Sequence, residues 1–148
     1  TGKVIGIDIW SEFEIPGNSA ERAYAKAEAE GVRERVEFRT GNVLSIPFPD
    51  SSFDVVTSSS VLNNLHTDSE KLGALKEILR VLVPGGRFLL LEPLRDSWHG
   101  LLTFGVFFAW MILPKDRWIR LLKDVGFVDL KYDYYHGMGA FLVVKPYL

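Results

Sequence analysis

The stretch "RVLVPGGRFLLLEP", residues 80–93, joins a helical pattern to an apolar strand and decides the fold class. Its last seven residues, "RFLLLEP", are nearly all apolar, which is typical of a parallel strand buried on both faces. The "VPGG" before them predicts the end of a helix followed by a turn, and we interpret Gly85 and Gly86 as turn residues rather than as a phosphate cradle. A helix, a turn and a buried strand in succession indicate an α/β fold.

Further strand patterns lie before and after this stretch. Each is a short run rich in β-branched and aromatic residues. Only "HGM" separates the last two runs, and so short a connection predicts an antiparallel pair. The predicted strands are Lys3 to Ile9, residues 35–41, Phe53 to Thr57, residues 87–93, residues 127–135 and residues 139–146.

Three helices alternate with these strands, at residues 18–31, Asp68 to Leu82 and Asp116 to Val125. Each shows an apolar stripe at helical spacing. Capping pairs, Asn18 with Glu21 and Thr67 with Glu70, mark two of the starts, and Gly31 and Gly126 mark two of the ends. A fourth helix is an open alternative between the second and third strands. The order predicts a mostly parallel sheet with an antiparallel hairpin at its C-terminal end.

Length, composition and charge argue against several classes of function. A chain of 148 residues with 47% hydrophobic residues predicts one domain, and a net charge of −2 without a basic stripe argues against binding nucleic acid. The chain has no cysteine, and His66, His99 and His136 lack ligand spacing, so we expect no metal site. No signal peptide is visible, which favours the cytoplasm. Because Thr1 leads almost at once into a strand, we interpret the chain as partial.

One segment, "LLTFGVFFAWMIL" from Leu101 to Leu113, is apolar on all sides. It is shorter than the ~20 residues that a membrane-spanning helix needs. We interpret it as a buried helix or a hydrophobic lid, and the alternative is peripheral contact with a membrane.

Four segments, in this order, resemble class I S-adenosylmethionine-dependent methyltransferases. They are "GIDIW", "GNVLSIPFPDSSFDVV", "SSVLNNLHTDSEKLGALKEILRVLVPGGRFLLLEP" and "LLKDVGFVDL". The resemblance implies a Rossmann-like sheet with helices on both faces, S-adenosylmethionine as cofactor and a small-molecule acceptor. A nicotinamide-dependent Rossmann enzyme also has an acid after its second strand, but it does not predict the second and third segments.

Two departures from the family pattern keep a second function open. The family's glycine-rich loop is absent and belongs before Thr1, so the chain is either a fragment or a non-catalytic relative that binds the cofactor weakly or binds a partner. The acid of the adenine-binding loop is replaced by Asn42, whose amide oxygen can accept the same hydrogen bond with less help from charge.

The resemblance implies a set of cofactor-binding residues. Asp8 corresponds to the acceptor for the ribose hydroxyls, although an acid at a strand end also caps turns. Asn42 corresponds to the adenine contact, with turn formation as its alternative. The remaining members, whose alternatives are ordinary core or loop positions, are Ile9 and Val43 around the adenine, Trp10 beside it, and Ser58 and Ser59 at the methyl-transfer end.

No catalytic base is assigned. Asn63 is a poor base, and His66 lies where it can simply start a helix. Glu92, Trp98 and His99 follow the fourth strand at the ligand edge, where any of them can contact a substrate. Transfer of a methyl group from a sulfonium relies mainly on alignment, so the chemistry does not require an obvious base.

Overall fold

The computed structural model describes residues 2–11, 16–95 and 112–147. These residues form two compact units, an N-terminal unit (residues 1–47) and a C-terminal unit (residues 48–148). Each unit is described separately below.

The N-terminal unit contains a parallel pair of strands and a helix. Strand β1 and strand β2 pair over five residues, with Asp8 opposite Thr40 at the carboxyl ends. The elements are β1 (Val4–Asp8), α1 (Ala20–Ala29), a 3₁₀ turn (Arg33–Arg35) and β2 (Val36–Thr40). The predicted strand–helix–strand order is therefore present.

Helix α1 lies against β2 through Tyr24. The Tyr24 hydroxyl accepts a hydrogen bond from the Phe38 N–H at 3.0 Å, and the two rings meet edge to face with centroids 5.0 Å apart. A Cβ at Gly6 would lie 2.7 Å from the Phe38 ring, so only glycine leaves room for that ring beside β1. The predicted apolar stripe of α1 is confirmed, because Ala27 is buried and Tyr24 half-buried.

The start of α1 differs from the prediction by one residue. Ser19, not Asn18, is the N-cap, and its hydroxyl accepts a hydrogen bond from the Arg22 N–H at 3.3 Å. Both residue types are good caps, so the sequence alone does not separate them. The end of the helix is as predicted, since Gly31 takes a left-handed φ of 67° just beyond it.

The C-terminal unit is a four-stranded sheet in the order β3-β4-β6-β5. Strands β3 and β4 are parallel, whereas β4 with β6 and β6 with β5 are antiparallel, which confirms the C-terminal hairpin and the α/β class. The elements are β3 (Phe53–Ser59), a 3₁₀ turn (Leu62–Asn64), α2 (Asp68–Val81), β4 (Leu82–Pro93), α3 (Lys115–Val125), β5 (Val128–Tyr135) and β6 (Met138–Val144). The predicted capping box of Thr67 and Glu70 is present at α2, and Gly126 ends α3 with a left-handed φ of 107°.

The additional helix considered between the second and third strands is absent, because residues 41–52 form turns. Strand β4 also begins five residues earlier than predicted. Its pairing with β3 jumps from Leu82 to Arg87, so the Pro-Gly-Gly turn lies within the strand as an irregularity. Gly85 has a φ of 76°, and a Cβ there would lie 2.6 Å from the Tyr147 ring, so both the backbone and the space require glycine.

The core of the C-terminal unit lies between the sheet and helices α2 and α3. The inward faces predicted for both helices are confirmed: Leu75, Ile78 and Trp118 are fully or almost fully buried. Phe88 and Phe141 supply the sheet side and are inaccessible to solvent. Alternate positions of β4 are therefore fixed by packing, and this fixes where its carboxyl end lies.

Candidate functional site at the carboxyl ends of the strands

In the N-terminal unit, Asp8 and Asn42 lie at one edge of the strand pair. Asp8 ends β1, and Asn42 follows the end of β2 by two residues. Because the strands are parallel and in register, both residues lie at the carboxyl edge. The Gly41 N–H donates a hydrogen bond to the Asp8 carbonyl at 3.0 Å, which holds together the segments that follow β1 and β2.

One oxygen of the Asp8 carboxylate shapes the loop that follows. Its Oδ1 accepts hydrogen bonds from the Trp10 N–H at 2.7 Å and from the Asn18 side-chain amide at 3.1 Å. Its Oδ2 accepts none from the described part of the chain. The turn function and the ligand function are therefore compatible in this side chain. Asn18 is a residue of this edge that the sequence analysis missed, since its spacing from Glu21 suggested a helix cap.

Trp10 has an unusual backbone, with a left-handed φ of 55°. Non-glycine residues in this region carry strain and concentrate at ligand sites. The neighbouring Ile9 is 52% exposed, although it follows a strand. A strained aromatic and an exposed isoleucine thus follow Asp8 directly, and each is a member of the predicted cofactor set.

Asn42 forms the turn that its sequence context favours. Its Oδ1 accepts a hydrogen bond from the Leu44 N–H at 2.9 Å, and the turn closes from the Ser45 N–H to the Asn42 carbonyl at 3.0 Å. Asn42 is exposed and Val43 half-buried. One lone pair of the amide oxygen and the amide N–H groups have no hydrogen-bond partner within the described chain.

In the C-terminal unit, Ser58 and Ser59 lie opposite Leu90 and Leu91, again at the carboxyl edge of a parallel pair. The Ser58 hydroxyl is buried and has no hydrogen-bond partner among the described residues. Ser59 is exposed, and Ser60 after it has a left-handed φ of 54°. A strained residue therefore follows the predicted site residues here too.

Glu92, two residues beyond Leu90, is fully buried. Its Oε1 accepts hydrogen bonds from the N–H groups of Val61 at 3.0 Å and Leu62 at 2.7 Å. Its Oε2 has no partner in the described part of the chain. Burial raises the pKa of Glu92 to about 7, although those N–H groups and the charge of Lys71 oppose the rise.

Lys71 of α2 is also buried, and its ammonium donates a hydrogen bond to the Leu65 carbonyl. Burial lowers the pKa of Lys71, against the opposing charge of Glu92. The two charged groups thus partly offset each other inside the unit. The position of Glu92 after an apolar strand predicted a place near a substrate, but nothing in the sequence indicated Lys71, which lies 21 residues away in the chain.

Asn63 joins three parts of the C-terminal unit. Its side-chain amide donates to the Pro93 carbonyl at 3.1 Å and accepts from the Leu113 N–H at 3.3 Å. The Arg95 N–H donates to the Leu113 carbonyl at 3.3 Å. The two ends of the stretch between Arg95 and Leu113 are therefore held side by side.

Other predicted features lie elsewhere or outside the described residues. His66 is exposed just before the start of α2. Trp98, His99 and residues 101–111 of the apolar segment are not among the described residues. No group of His, Asp and Glu suited to a metal ion occurs in residues 2–11, 16–95 and 112–147. Within the same ranges, no helix has the length and apolar character needed to cross a membrane.

A small cleft of about 210 Å³ opens at the opposite end of the N-terminal unit. It is lined by the amino ends of β1 and β2, and the Arg33 guanidinium lies 3.8 Å above the centre of the Tyr24 ring there. It does not include Asp8 or Asn42. The predicted cofactor residues of the N-terminal unit therefore lie at the carboxyl ends of its strands and not in this cleft.

Comparison with known proteins gives a consistent picture. A family model described as a methyltransferase domain matches residues 1–90. The chain is 45% identical to a demethylmenaquinone methyltransferase of Lactococcus lactis, over 95% of this chain and 61% of that protein. It is 40% identical to a ubiquinone/menaquinone biosynthesis C-methyltransferase of Cronobacter sakazakii, over 65% of this chain and 37% of that protein.

A solved structure gives the same fold. A protein from Methanosarcina mazei described as a SAM-dependent methyltransferase superposes with a TM-score of 0.75 at 22% identity, over 97% of this chain and 82% of that one. The two relatives above are longer than this chain, which spans 61% and 37% of their lengths.

Proposed function

Because this chain belongs to the methyltransferase domain family, we propose that it takes part in S-adenosylmethionine-dependent methyl transfer to a ring carbon of a small apolar acceptor. The observation that carries the proposal is Asp8 at the carboxyl end of β1, with Oδ1 engaged in the loop and Oδ2 without a partner in the described chain. A carboxylate with one oxygen engaged locally is rigid and still accepts hydrogen bonds from a ligand.

In each unit, the residues at the carboxyl ends of the strands are of types that can bind the cofactor. In this proposal Asp8 accepts from the ribose hydroxyls, and Ile9 and Val43 supply apolar contacts to the adenine. Asn42 contacts the adenine amino group with the remaining lone pair of its oxygen, and Trp10 covers the same region. In the C-terminal unit, Ser58 offers a hydroxyl without a hydrogen-bond partner among the described residues, and Ser59 offers an exposed one. When bound, S-adenosylmethionine supplies the methyl group on a sulfonium.

The acceptor class is proposed from the named relatives, which act on demethylmenaquinone or in quinone biosynthesis. Sulfonium methyl groups are electrophilic, so the attacking ring carbon has to be electron-rich. The reduced, hydroquinone form of the ring meets this need, and the oxidised form does not. As the new carbon–carbon bond forms, the carbon–sulfur bond breaks and the ring carbon loses its proton to water or a base. Peripheral membrane contact through residues 101–113 and a cytoplasmic location stay predictions.

Calorimetric titration with S-adenosylhomocysteine tests cofactor binding. It is carried out on this chain and on a longer form that also includes any natural sequence upstream of Thr1. For each of the two forms, the unchanged sequence and the Asp8→Ala variant are compared. We expect Asp8→Ala to weaken binding about 100-fold, since hydrogen bonds to a charged group contribute roughly 1.5–3 kcal/mol. Asp124→Ala, which removes an equal charge from an exposed position of α3, is the matched control and should bind as the unchanged chain does.

Two outcomes of this titration would contradict the proposal. Absence of binding in both forms would leave a folded, non-catalytic relative. Equal affinity of the Asp8→Ala and Asp124→Ala variants would remove Asp8 from the site. If binding is found, transfer of radiolabelled methyl to reduced, but not oxidised, demethylmenaquinone would support the acceptor class.

A further inference from the structure

The chain that leaves β3 is bound along its length to the end of β4. We name residues 60–64 the β3 exit loop. The Ser60 N–H donates to the Leu91 carbonyl at 2.9 Å, and the Asn63 amide donates to the Pro93 carbonyl at 3.1 Å. Between them, the N–H groups of Val61 and Leu62 donate to Glu92. A carboxylate thus replaces the main-chain carbonyl that a longer strand would supply.

The geometry leads us to propose that Glu92 is a positioning residue for methyl transfer, which holds the β3 exit loop that follows the predicted site residues Ser58 and Ser59. This inference rests on the proposed function. Glu92 is fully buried, so its role is to act through the loop rather than to touch the substrate. The loop directly follows Ser58 and Ser59, at the edge where open α/β sheets bind ligands.

A purely structural role is a poor explanation of this side chain. A buried carboxylate is costly, and well-packed apolar residues commonly replace buried charges with a gain in stability. The charge of Lys71, which faces Glu92 from α2, offsets part of this cost. Part of the cost remains, because Oε2 has no hydrogen-bond partner in the described chain. What the carboxylate provides is a strong acceptor for two consecutive N–H groups, which fixes the path of the loop.

The test compares three variants of the natural protein that contains these residues. Glu92→Ala removes the acceptor, and Glu92→Gln retains an acceptor oxygen without charge. Leu90→Ala is the matched control, since Leu90 is fully buried two residues earlier in the same strand and has no polar role. For each variant, kcat with reduced demethylmenaquinone, the Kd for S-adenosylhomocysteine and the pH dependence of kcat are measured.

We expect Glu92→Ala to lower kcat at least about tenfold while the Kd changes less than about threefold, because the proposed ribose and adenine contacts lie in the N-terminal unit. Glu92→Gln should restore kcat to within about threefold. The unchanged protein should gain at most about threefold in kcat as Glu92 ionises near its pKa of about 7, because the protonated acid offers the same neutral acceptor oxygen as Gln. This inflection should be absent in Glu92→Gln. Leu90→Ala should lower stability without this pattern.

Several results would overturn the inference. One is a Glu92→Ala variant with unchanged kcat, and another is a parallel loss of kcat and cofactor affinity that Leu90→Ala reproduces. If Glu92→Ala does not fold, the pH profile decides, and the same inflection in Glu92→Gln would exclude Glu92. An unchanged protein that binds no S-adenosylhomocysteine would instead contradict the proposed function.

Discussion

The two strand edges differ in how they use an acid. At the N-terminal edge, the half-buried Asp8 bonds to groups two and ten residues away in the chain. At the C-terminal edge, the fully buried Glu92 bonds to groups 31 and 30 residues away. The first acid organises its own loop, and the second joins two strand exits.

This difference determines how each acid responds to change. A half-buried acid with near neighbours keeps much of its hydration, so its removal should affect a ligand more than the fold. A buried acid with distant partners couples its proton to the stability of the whole unit. Substitutions in the two units can test this contrast.

The largest effect is expected from aromatic truncation in each unit. Phe88 is fully buried and stacks on Phe127 at 5.7 Å, whereas Phe38 is half-buried. Phe88→Ala should lower the free energy of unfolding by about 3–5 kcal/mol, and Phe38→Ala by roughly half as much. Urea unfolding followed by circular dichroism measures both. Equal losses would mean that the two units are packed alike.

Glu92 should make stability fall as pH rises. A carboxyl whose pKa is raised from 4.5 to about 7 holds its proton more tightly in the folded chain. Its contribution is greatest below about pH 4.5 and is lost by about pH 7, a change of about 3 kcal/mol. The difference in unfolding free energy between the unchanged chain and Glu92→Gln should therefore vary across this range. A constant difference would refute the raised pKa.

A smaller contrast is expected between the two helix caps. The Thr67 hydroxyl accepts from the Glu70 N–H at 3.1 Å within a complete capping box, whereas Ser19 accepts a single bond at 3.3 Å. Thr67→Ala should cost about 1 kcal/mol, and Ser19→Ala about 0.5 kcal/mol. Thermal unfolding monitored at helix wavelengths gives the comparison. The reverse order would show that the box adds nothing.

The smallest effect concerns Asn18, the partner that holds Asp8 by its side chain. Asn18→Ala leaves Asp8 with its bond from the Trp10 N–H, so the affinity for S-adenosylhomocysteine should fall only about threefold to fivefold. Ser19→Ala, which removes the neighbouring hydroxyl that bonds to the Arg22 N–H and not to Asp8, is the control and should leave the affinity unchanged. A loss as large as that of Asp8→Ala would mean that orientation, not charge, controls binding.

Much of the fold could be predicted from local patterns. Apolar runs such as "RFLLLEP", helix caps, and glycines that end helices, such as Gly31 and Gly126, depend on residues close together in the chain. The sequence therefore shows them directly. The set of cofactor residues came from a resemblance to a family and stays a prediction, although the structure brings Asp8 and Asn42 to one edge.

What could not be predicted depends on contacts distant in the chain. Nothing near Glu92 in sequence indicates that it receives the N–H groups of Val61 and Leu62, and nothing near Asn63 indicates Leu113. Asn18 was wrongly predicted to be a helix cap. An asparagine at that position suits either a helix cap or a hydrogen bond to Asp8, and its neighbours in sequence do not distinguish the two. The early start of β4 depended on the pairing of Leu82 with Phe53 of β3.

The hydrogen bond between Arg95 and Leu113 has an evolutionary consequence. Because Arg95 and Leu113 are bonded to each other, the number of residues between them can change without moving β4 or α3. The entropy of closing such a stretch grows only slowly with length. This pair of residues therefore marks a position at which evolution can lengthen or shorten the chain while the rest of the unit is preserved.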